Sequence, residues 1–206
     1  MPNDQYFTRE PGSESRPAEC AFEYRGKPLR FITDAGVFSR GELDTGTRIL
    51  LNALPETMAG DILDLGCGWG PIGISVKSAW PEARVRMTDV NLRALERSRE
   101  NARRNGVSVV CTESDGFSAL GEETFDAVIT NPPIRAGKQV IYRMFAEACD
   151  HLKPGGSLYV VIRKQQGAES CMEYLKSIFA SVERLERDAG FWVLEARKEA
   201  AENPAL

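Results

Sequence analysis

The hydrophobic positions near the N-terminus alternate with polar ones. Phe22 and Tyr24 precede the turn-forming residues 25–28, and Leu29 and Phe31 follow them. This alternation around a glycine predicts a β-hairpin.

Beyond residue 60, short apolar runs alternate with amphipathic stretches. The predicted strands span residues 61–65, 84–89, 107–111, 125–130, 157–162, 182–187 and 191–196, and the predicted helices span residues 42–54, 71–79, 92–105, 138–152 and 168–179. Repeated strand-helix units favour a parallel sheet covered on both faces, and residues 188–190 join the last two strands as a hairpin. We therefore expect a Rossmann-like, doubly wound α/β fold with a seven-stranded, mostly parallel sheet, a C-terminal antiparallel hairpin strand and an N-terminal β-hairpin extension.

The domain organisation follows from the same pattern. Residues 1–18 are rich in proline, glycine, serine and charge, which predicts a flexible tail. The hairpin and first helix occupy residues 19–57, the α/β domain residues 58–198, and a second tail residues 199–206.

Composition narrows the possible classes of function. The chain has 206 residues, and 26 Lys and Arg against 30 Asp and Glu give a net charge of −4, so any nucleic-acid contact is expected from a local patch. A single histidine argues against a histidine-based metal centre. The five cysteines show no CxxC spacing, and we find neither a signal sequence nor an apolar run of about 20 residues, so we expect a cytoplasmic protein with reduced thiols and no membrane span.

A glycine-rich loop joins the first strand of the α/β domain to its first helix, with the sequence Asp64-Leu65-Gly66-Cys67-Gly68-Trp69-Gly70. A dinucleotide fingerprint would need a third glycine at position 71, which is Pro71, and a Walker loop would need Lys-Ser/Thr. The loop resembles the D-x-G-x-G-x-G loop of class I S-adenosylmethionine-dependent methyltransferases, although a tight turn in an unrelated α/β protein is the alternative. The resemblance implies S-adenosylmethionine as cofactor, and the candidate residues for binding it here are Thr47, Asp64, Gly66, Cys67, Gly68 and Gly70.

Two further acidic residues lie where parallel strands end. Asp89 closes the second strand of the domain and could accept hydrogen bonds from both ribose hydroxyls. Asp115 follows the third strand and could accept from the adenine amine, while Phe117 packs on the ring. The alternatives are a helix cap at Asp89 and an Asx-turn at Asp115.

Candidate catalytic chemistry lies in Asn131-Pro132-Pro133-Ile134, directly after the strand at residues 125–130. Two prolines remove backbone donors and leave carbonyl acceptors. The Asn131 side-chain oxygen and the Pro132 carbonyl could accept the two hydrogens of an exocyclic amine and aim its lone pair at a methyl donor. Such a transfer depends on positioning more than on a strong base. A turn that ends a buried strand is the alternative.

This tetrapeptide resembles the N/D-P-P-x signature of methyltransferases that act on planar amino groups. Together with residues 33–39, residues 43–51 and the glycine loop, it is similar to the "methyltransferase small" domain, in particular to the catalytic half of the small-subunit ribosomal RNA guanine-N2 methyltransferases. The resemblance extends from about Tyr24 to Lys198 and implies that residues 58–198 form a methyltransferase domain. Family members commonly have an aromatic residue at the position of Ile134, and Phe38 could supply that ring or belong to the core.

Four basic residues follow two strands that are expected to be neighbours: Arg135 and Lys138 after the fourth, Arg163 and Lys164 after the fifth. Parallel strands would bring all four to one rim, where they could contact RNA phosphates. Solvated loop cations are the alternative.

The sequence thus predicts an enzyme that methylates an exocyclic base amine, with guanine N2 of ribosomal RNA, free or in the assembled small subunit, as the expected target. Adenine N6 or a protein glutamine, and a non-catalytic cofactor-binding module that recognises RNA or a partner, stay open as alternatives. Monomer and homodimer are equally compatible with the sequence.

Overall fold

The computed structural model describes residues 8–201. Residues 1–7 and 202–206, which belong to the two predicted tails, lie outside the described residues. The predicted hairpin is present as β1 (Ala18–Tyr24) and β2 (Lys27–Thr33), which pair antiparallel.

The main sheet has seven strands: β3 (Asp61–Leu65), β4 (Arg84–Asp89), β5 (Val110–Glu113), β6 (Phe125–Thr130), β7 (Leu152–Arg163), β8 (Ser181–Asp188) and β9 (Phe191–Arg197). Their order is β5-β4-β3-β6-β7-β9-β8, and β9 runs antiparallel to both of its neighbours while the other pairings are parallel. The predicted fold class is confirmed. The strand order reverses between β3 and β6, and such a reversal opens a crevice at the carboxyl ends of the strands.

Five α-helices lie within residues 8–201: α1 (Thr45–Ala53), α2 (Pro71–Ala79), α3 (Leu92–Arg104), α4 (Lys138–His151) and α5 (Ala168–Ile178). The hairpin and α1–α3 contribute to one buried cluster with Ile62 and Ile129, and α4 and α5 contribute to another with Leu63 and Val128, because successive strand residues face opposite sides. None of these helices is long and apolar enough to cross a bilayer.

Three elements begin three or more residues away from their predicted start. Helix α1 begins at Thr45 instead of residue 42, because the Asp44 side chain caps it by accepting from the Thr47 N–H. Strand β5 begins at Val110, three residues later than expected, and β7 begins at Leu152 instead of residue 157, because Leu152 already pairs with Phe125.

Two asparagines attach the hairpin to the main domain. Asn101 of α3 accepts from the Ile32 N–H at 2.7 Å and donates to the carbonyls of Ile32 and Trp69, both at 2.8 Å. Asn105 bonds the backbone of Arg30 in the same way. The hairpin is therefore fixed against the helix that borders the glycine loop.

The described part of the predicted tail makes specific contacts with the main domain. The Asp34 carboxylate is buried and accepts from Ser15 Oγ at 2.8 Å and from the Arg16 N–H at 2.6 Å. Arg93 of α3 donates to the Ser13 carbonyl at 2.8 Å. Residues 9–16 thus lie along the main domain, because buried polar groups there need partners that this segment supplies.

Candidate active site

A cleft of about 450 Å³ opens at the carboxyl ends of the parallel strands. It lies where the strand order reverses, as the fold predicts. Its lining residues are Val37, Phe38, Thr47, Leu65, Gly66, Cys67, Gly68, Trp69, Pro71, Ile72, Asp89, Val90, Ala94, Ser114, Asp115, Gly116, Asn131, Pro133, Ala136, Val140, Arg143 and Met144.

The glycine loop forms the floor of the cleft. The backbone N–H groups of Gly66 and Cys67 donate to the Thr88 carbonyl at 2.9 and 2.8 Å, which ties the loop to β4. Gly66 and Gly68 adopt positive φ, and a Cβ added at either would meet no atom within 4 Å. The backbone there is open to a ligand. Gly70 is different: it does not line the cleft, and a Cβ would lie 2.8 Å from Ile74 Cδ1.

Asp64 lies beneath this loop, outside the cleft lining. Its Oδ2 accepts from the Gly73 N–H at 2.8 Å, and its buried Oδ1 has no hydrogen-bond partner among the described residues. Burial, together with the nearby charge of Asp89, raises the pKa of Asp64 to about 7. In the structure Asp64 stabilises the first turn of α2, and the residues of the glycine loop form the cleft surface above it.

Cys67 lines the cleft but is almost fully buried. Its Sγ lies 3.5 Å from Ser98 Oγ, and burial raises the pKa of the thiol well above its ordinary value. A thiol in that state is a packing group and a poor nucleophile.

Asp89 lies on the cleft wall at the end of β4. Its Oδ2 accepts from the Gly68 N–H and its Oδ1 from the Asn91 N–H, both at 2.8 Å. Burial raises the pKa of this carboxyl to about 6. The carboxylate also accepts from the Val90 N–H and keeps acceptor capacity for a ligand hydroxyl.

The segment after β5 carries Ser114, Asp115 and Gly116 to the cleft. Asp115 is exposed and pairs with Arg143 at 2.8 Å. Phe117, predicted to pack on an adenine ring, lies elsewhere: it is buried and stacks on His151 with ring centroids 4.6 Å apart. Arg143 lines the cleft from α4, and no motif in the sequence points to it.

The Asn131-Pro132-Pro133 segment reaches the same cleft from the end of β6. Asn131 Nδ2 donates to Asp44 Oδ2 at 3.0 Å and to Thr47 Oγ1 at 2.9 Å. Pro133 lies on the cleft wall, while Pro132 is buried and Ile134 packs against the core on the α4 side.

The backbone of this segment turns sharply at Pro133, with φ −74° and ψ 79°. The Ile134 N–H donates to the Pro132 carbonyl at 2.9 Å, which is an inverse γ-turn. The Pro132 carbonyl predicted as a free acceptor therefore already takes one hydrogen bond and keeps one lone pair.

Thr47, predicted as a cofactor contact, is buried on the cleft wall with its hydroxyl bonded to Asn131. Asp44 completes this group and is not among the site residues predicted from sequence. Its N-cap position before a helix is readable from sequence, but its partner 87 residues away is not.

Phe38 is 37% exposed on the cleft wall, and its backbone carbonyl accepts from Trp69 Nε1 at 2.9 Å. The ring is therefore at the surface of the cleft and outside the core. Sequence alone had left both possibilities open.

The four predicted phosphate contacts are exposed and lie at or beyond the carboxyl ends of β6 and β7, which are adjacent and parallel. They do not line the cleft itself. Lys138 Nζ lies 5.0 Å from the Tyr142 ring centre, and Lys164 lies 3.7 Å from Glu169. The Arg163 guanidinium lies 5.0 Å over the ring of Phe191, which contacts Gly46 in the first turn of α1. Arg135 lies in a single 3₁₀ turn after Pro133.

Comparison with known proteins gives consistent results. The chain is 41% identical over 199 residues to the "Uncharacterized protein YbxB" of Bacillus subtilis, covering 95% of this chain and 99% of that protein. It is 41% identical over 140 residues to the ribosomal RNA small subunit methyltransferase C of Hahella chejuensis, covering 66% of this chain and 41% of that protein.

A solved structure extends the comparison. The Thermus thermophilus 16S rRNA N2 G1207 methyltransferase (RsmC), in complex with AdoMet and guanosine, aligns with a TM-score of 0.80 and 27% identity over 91% of this chain and 51% of that chain. This chain thus spans about half or less of the methyltransferase C relatives. Residues 28–195 match the model of the methyltransferase small domain, and that match together with the AdoMet complex indicates S-adenosylmethionine as the cofactor. The sequence, the cleft and these comparisons agree, and the chain belongs to the methyltransferase small domain family, whose members transfer methyl groups from S-adenosylmethionine.

Proposed function

We propose that this protein transfers a methyl group from S-adenosylmethionine to the exocyclic N2 amine of guanine in ribosomal RNA. The observation that carries the proposal is that the glycine loop, Asp89 and Asn131 share one cleft. A cofactor pocket and an amine acceptor are thus adjacent, as a direct methyl transfer requires.

The cleft fits the cofactor on its own geometry. The open backbone at Gly66 and Gly68 leaves room for the ligand chain, and Asp89 can accept from the ribose hydroxyls. Val90 and Met144 offer apolar surface for the adenine ring, and Asp115 can accept from its amine. When bound, S-adenosylmethionine supplies a methyl group activated by a cationic sulfur.

The chain's own residues would orient the amine. Asn131 Oδ1 and the remaining lone pair of the Pro132 carbonyl accept its two hydrogens, which directs the nitrogen lone pair toward the methyl group. Because these acceptors are fixed before the substrate arrives, no reorganisation is needed during transfer. The nitrogen gives up its extra proton to solvent after transfer, so no basic side chain is required.

Recognition of guanine in RNA is supported by the relatives named above and by two features of the rim. Phe38 is exposed enough to stack on a base, and stacking on an aromatic ring stabilises a bound base by about 1–3 kcal/mol. Arg135, Lys138, Arg163 and Lys164 can contact the backbone phosphates.

The test is a methylation assay with labelled S-adenosylmethionine. Unmodified small-subunit rRNA, subunits reconstituted from it, and total protein serve as separate substrates, and RNA products are digested to nucleosides and identified by mass spectrometry. N2-methylguanosine is expected, and Asn131→Ala should lower its formation about 100-fold. Label in protein or in N6-methyladenosine would overturn the guanine assignment, and binding of cofactor without any transfer would favour the non-catalytic alternative.

A further inference from the structure

The carboxylate of Asp44 is shared between the start of α1 and the end of β6. Its Oδ2 accepts from the Thr47 backbone N–H at 2.9 Å and from Asn131 Nδ2 at 3.0 Å. Thr47 Oγ1 lies 3.4 Å from the same oxygen. One carboxylate oxygen therefore caps α1 and also holds Asn131, the residue proposed to bind the substrate amine.

This arrangement permits a single orientation of the Asn131 amide. An ionised carboxylate can only accept hydrogen bonds, so the amide nitrogen must face Asp44. The amide nitrogen also donates to Thr47 Oγ1 at 2.9 Å, and the hydroxyl hydrogen of Thr47 is then directed at Asp44. The amide nitrogen thus donates to two acceptors within the protein, which leaves the carbonyl oxygen Oδ1 for a ligand.

The packing around Asp44 holds the carboxylate in this position. Gly46 has no side chain, and a Cβ there would lie 3.1 Å from Asp44 Oδ2 and 2.9 Å from Phe191 Cε1. Glycine is thus required for the carboxylate and the aromatic ring to approach α1 together.

We infer that Asp44 is a positioning residue that presents the carbonyl oxygen of Asn131, and not its nitrogen, to the substrate, and thereby selects a hydrogen-bond-donating amine over a carbonyl. This inference rests on the proposed function. Without the carboxylate, the Thr47 hydroxyl can donate as readily as it accepts, and the Asn131 amide can then exchange the positions of its oxygen and its nitrogen.

The first experiment is Asp44→Ser, because serine remains a good N-cap for α1 but lacks the carboxylate. We expect the unfolding midpoint and the cofactor Kd to stay close to wild type, while kcat for methyl transfer falls about 10-fold or more. A full kcat in this folded variant would overturn the inference.

A double-mutant cycle separates positioning from a structural role. In Asn131→Asp the new carboxyl faces Asp44. Two carboxyls this close share a proton until the pH is high enough to ionise both, so the variants are compared at alkaline pH, where repulsion between like charges should nearly abolish transfer. In the double variant Asp44→Ser with Asn131→Asp, Thr47 can donate to one oxygen of the new carboxylate while its other oxygen accepts from the amine. We therefore expect the double variant to be at least about 10-fold more active than Asn131→Asp alone. Losses that simply add would overturn the inference.

A measurement without substrate keeps this result distinct from failure of the proposed function. In the isotope-labelled wild-type protein, NMR should detect a scalar coupling across the hydrogen bond from Asn131 Nδ2 to the Asp44 carboxyl carbon, and Asp44→Ser should lose it. If the coupling is present but no RNA is methylated, the amide orientation holds and the substrate assignment fails. If the coupling is absent from a folded wild-type protein, the inference fails whatever the substrate.

Discussion

The indole nitrogen of Trp69 donates a hydrogen bond to the backbone carbonyl of Phe38, with the two atoms 2.9 Å apart. Trp69 belongs to the glycine loop and Phe38 to the loop that precedes α1. The Trp69 ring also packs edge-on against Phe31 of the hairpin, with centroids 5.0 Å apart. The Trp69 side chain thereby connects the glycine loop, which is proposed to hold the cofactor, to the loop of Phe38, whose ring is proposed to stack on the base.

Replacing Trp69 with Phe should weaken substrate binding, because the aromatic packing is largely kept while the hydrogen bond to the Phe38 loop is lost. We expect KM for RNA to rise about 5-fold, the effect of roughly 1 kcal/mol. Trp80→Phe is the matched control, since Trp80 Nε1 also donates to a backbone carbonyl, that of Glu56, but away from the cleft. An equal change in both variants would show that the Trp69 bond has no special role.

The pKa of Asp89 predicts how cofactor binding depends on pH. Burial raises this pKa to about 6, and the ribose hydroxyls need the ionised carboxylate as an acceptor. Affinity should therefore increase with pH between 5 and 7, by about 10-fold, and stay level above 7. Calorimetry with S-adenosylhomocysteine tests this, because that ligand is not consumed.

Asp89→Asn supplies the control for that titration. We expect it to bind about 10- to 150-fold more weakly, because a charged acceptor is lost, and to show little pH dependence from this site. A wild-type affinity that does not change between pH 5 and 7 would remove Asp89 from the proposed ribose contacts.

The buried Asp64 predicts that the stability of the protein falls as the pH rises, whereas the affinity for the cofactor increases. Its pKa is raised from 3.8 to about 7 in the folded protein, so the native state holds this proton more tightly than the unfolded chain. Stability should then fall as pH rises from about 4 to 7, and the penalty is complete above pH 7. In urea titrations without cofactor, we expect wild type to lose about 2–3 kcal/mol relative to Asp64→Asn between pH 5 and 8. A constant difference between the two proteins would contradict this.

The contacts of Asp34 predict that the N-terminal segment stabilises the folded protein. Burial acts to raise the pKa of Asp34, but hydrogen bonds from Ser15, the Arg16 N–H and Arg97 outweigh it and lower the pKa overall. We expect Asp34→Ala to destabilise the protein by about 2–4 kcal/mol near neutral pH, because Arg97 keeps only Glu100 as an ion-pair partner and the Arg16 N–H loses its acceptor. This loss should shrink below pH 4, since a lowered pKa stabilises only while the carboxylate is ionised.

Limited digestion with subtilisin, a protease of broad specificity, adds a local readout for the same variant. The segment of residues 9–16 is held at the surface of the domain through the bond from the Arg16 N–H to Asp34, so cleavage within this segment should become faster in Asp34→Ala. Glu14→Ala is the control, because Glu14 makes an exposed pair with Arg16 at 3.7 Å and should change stability by less than about 0.5 kcal/mol. Equal digestion of both variants would argue against an anchoring role for Asp34.

The residues whose place in the fold could be predicted from sequence are those positioned by local pattern and by strand order. The glycine loop follows an apolar strand, and the Asn131 segment follows another, so parallel pairing brings both to one end of the sheet. Their side-chain contacts depend on chain segments far apart. The prediction that Phe117 packs on the adenine ring differs from the structure, because the turn in which Ser114 Oγ donates to the Gly116 carbonyl sends the ring into the core against His151.

The hydrogen-bonded group of Asp44, Thr47 and Asn131 illustrates the same limit. The motif containing Asp44 and Thr47 was recognised as a pattern, but its role became visible only when α1 lay against β6. The N-terminal segment is a further example, since its polar composition predicts mobility while the partners that hold it, Asp34 and Arg93, come from later elements.

The basic rim predicts a position-dependent salt effect on RNA binding. Lys138 and Arg135 follow β6 beside the cleft, and each lost phosphate contact should reduce the slope of log Kd against log salt concentration by about 0.7 to 0.9. Arg135→Ala and Lys138→Ala should each show this reduction, whereas Lys164→Ala should show less because Glu169 already lies near its charge. Arg103→Ala is the matched control: it removes the same charge from the last turn of α3, at the opposite end of the sheet from the cleft. If Arg103→Ala flattens the slope as much as Arg135→Ala, RNA is attracted by net charge alone, and the rim residues do not form a defined RNA-binding surface.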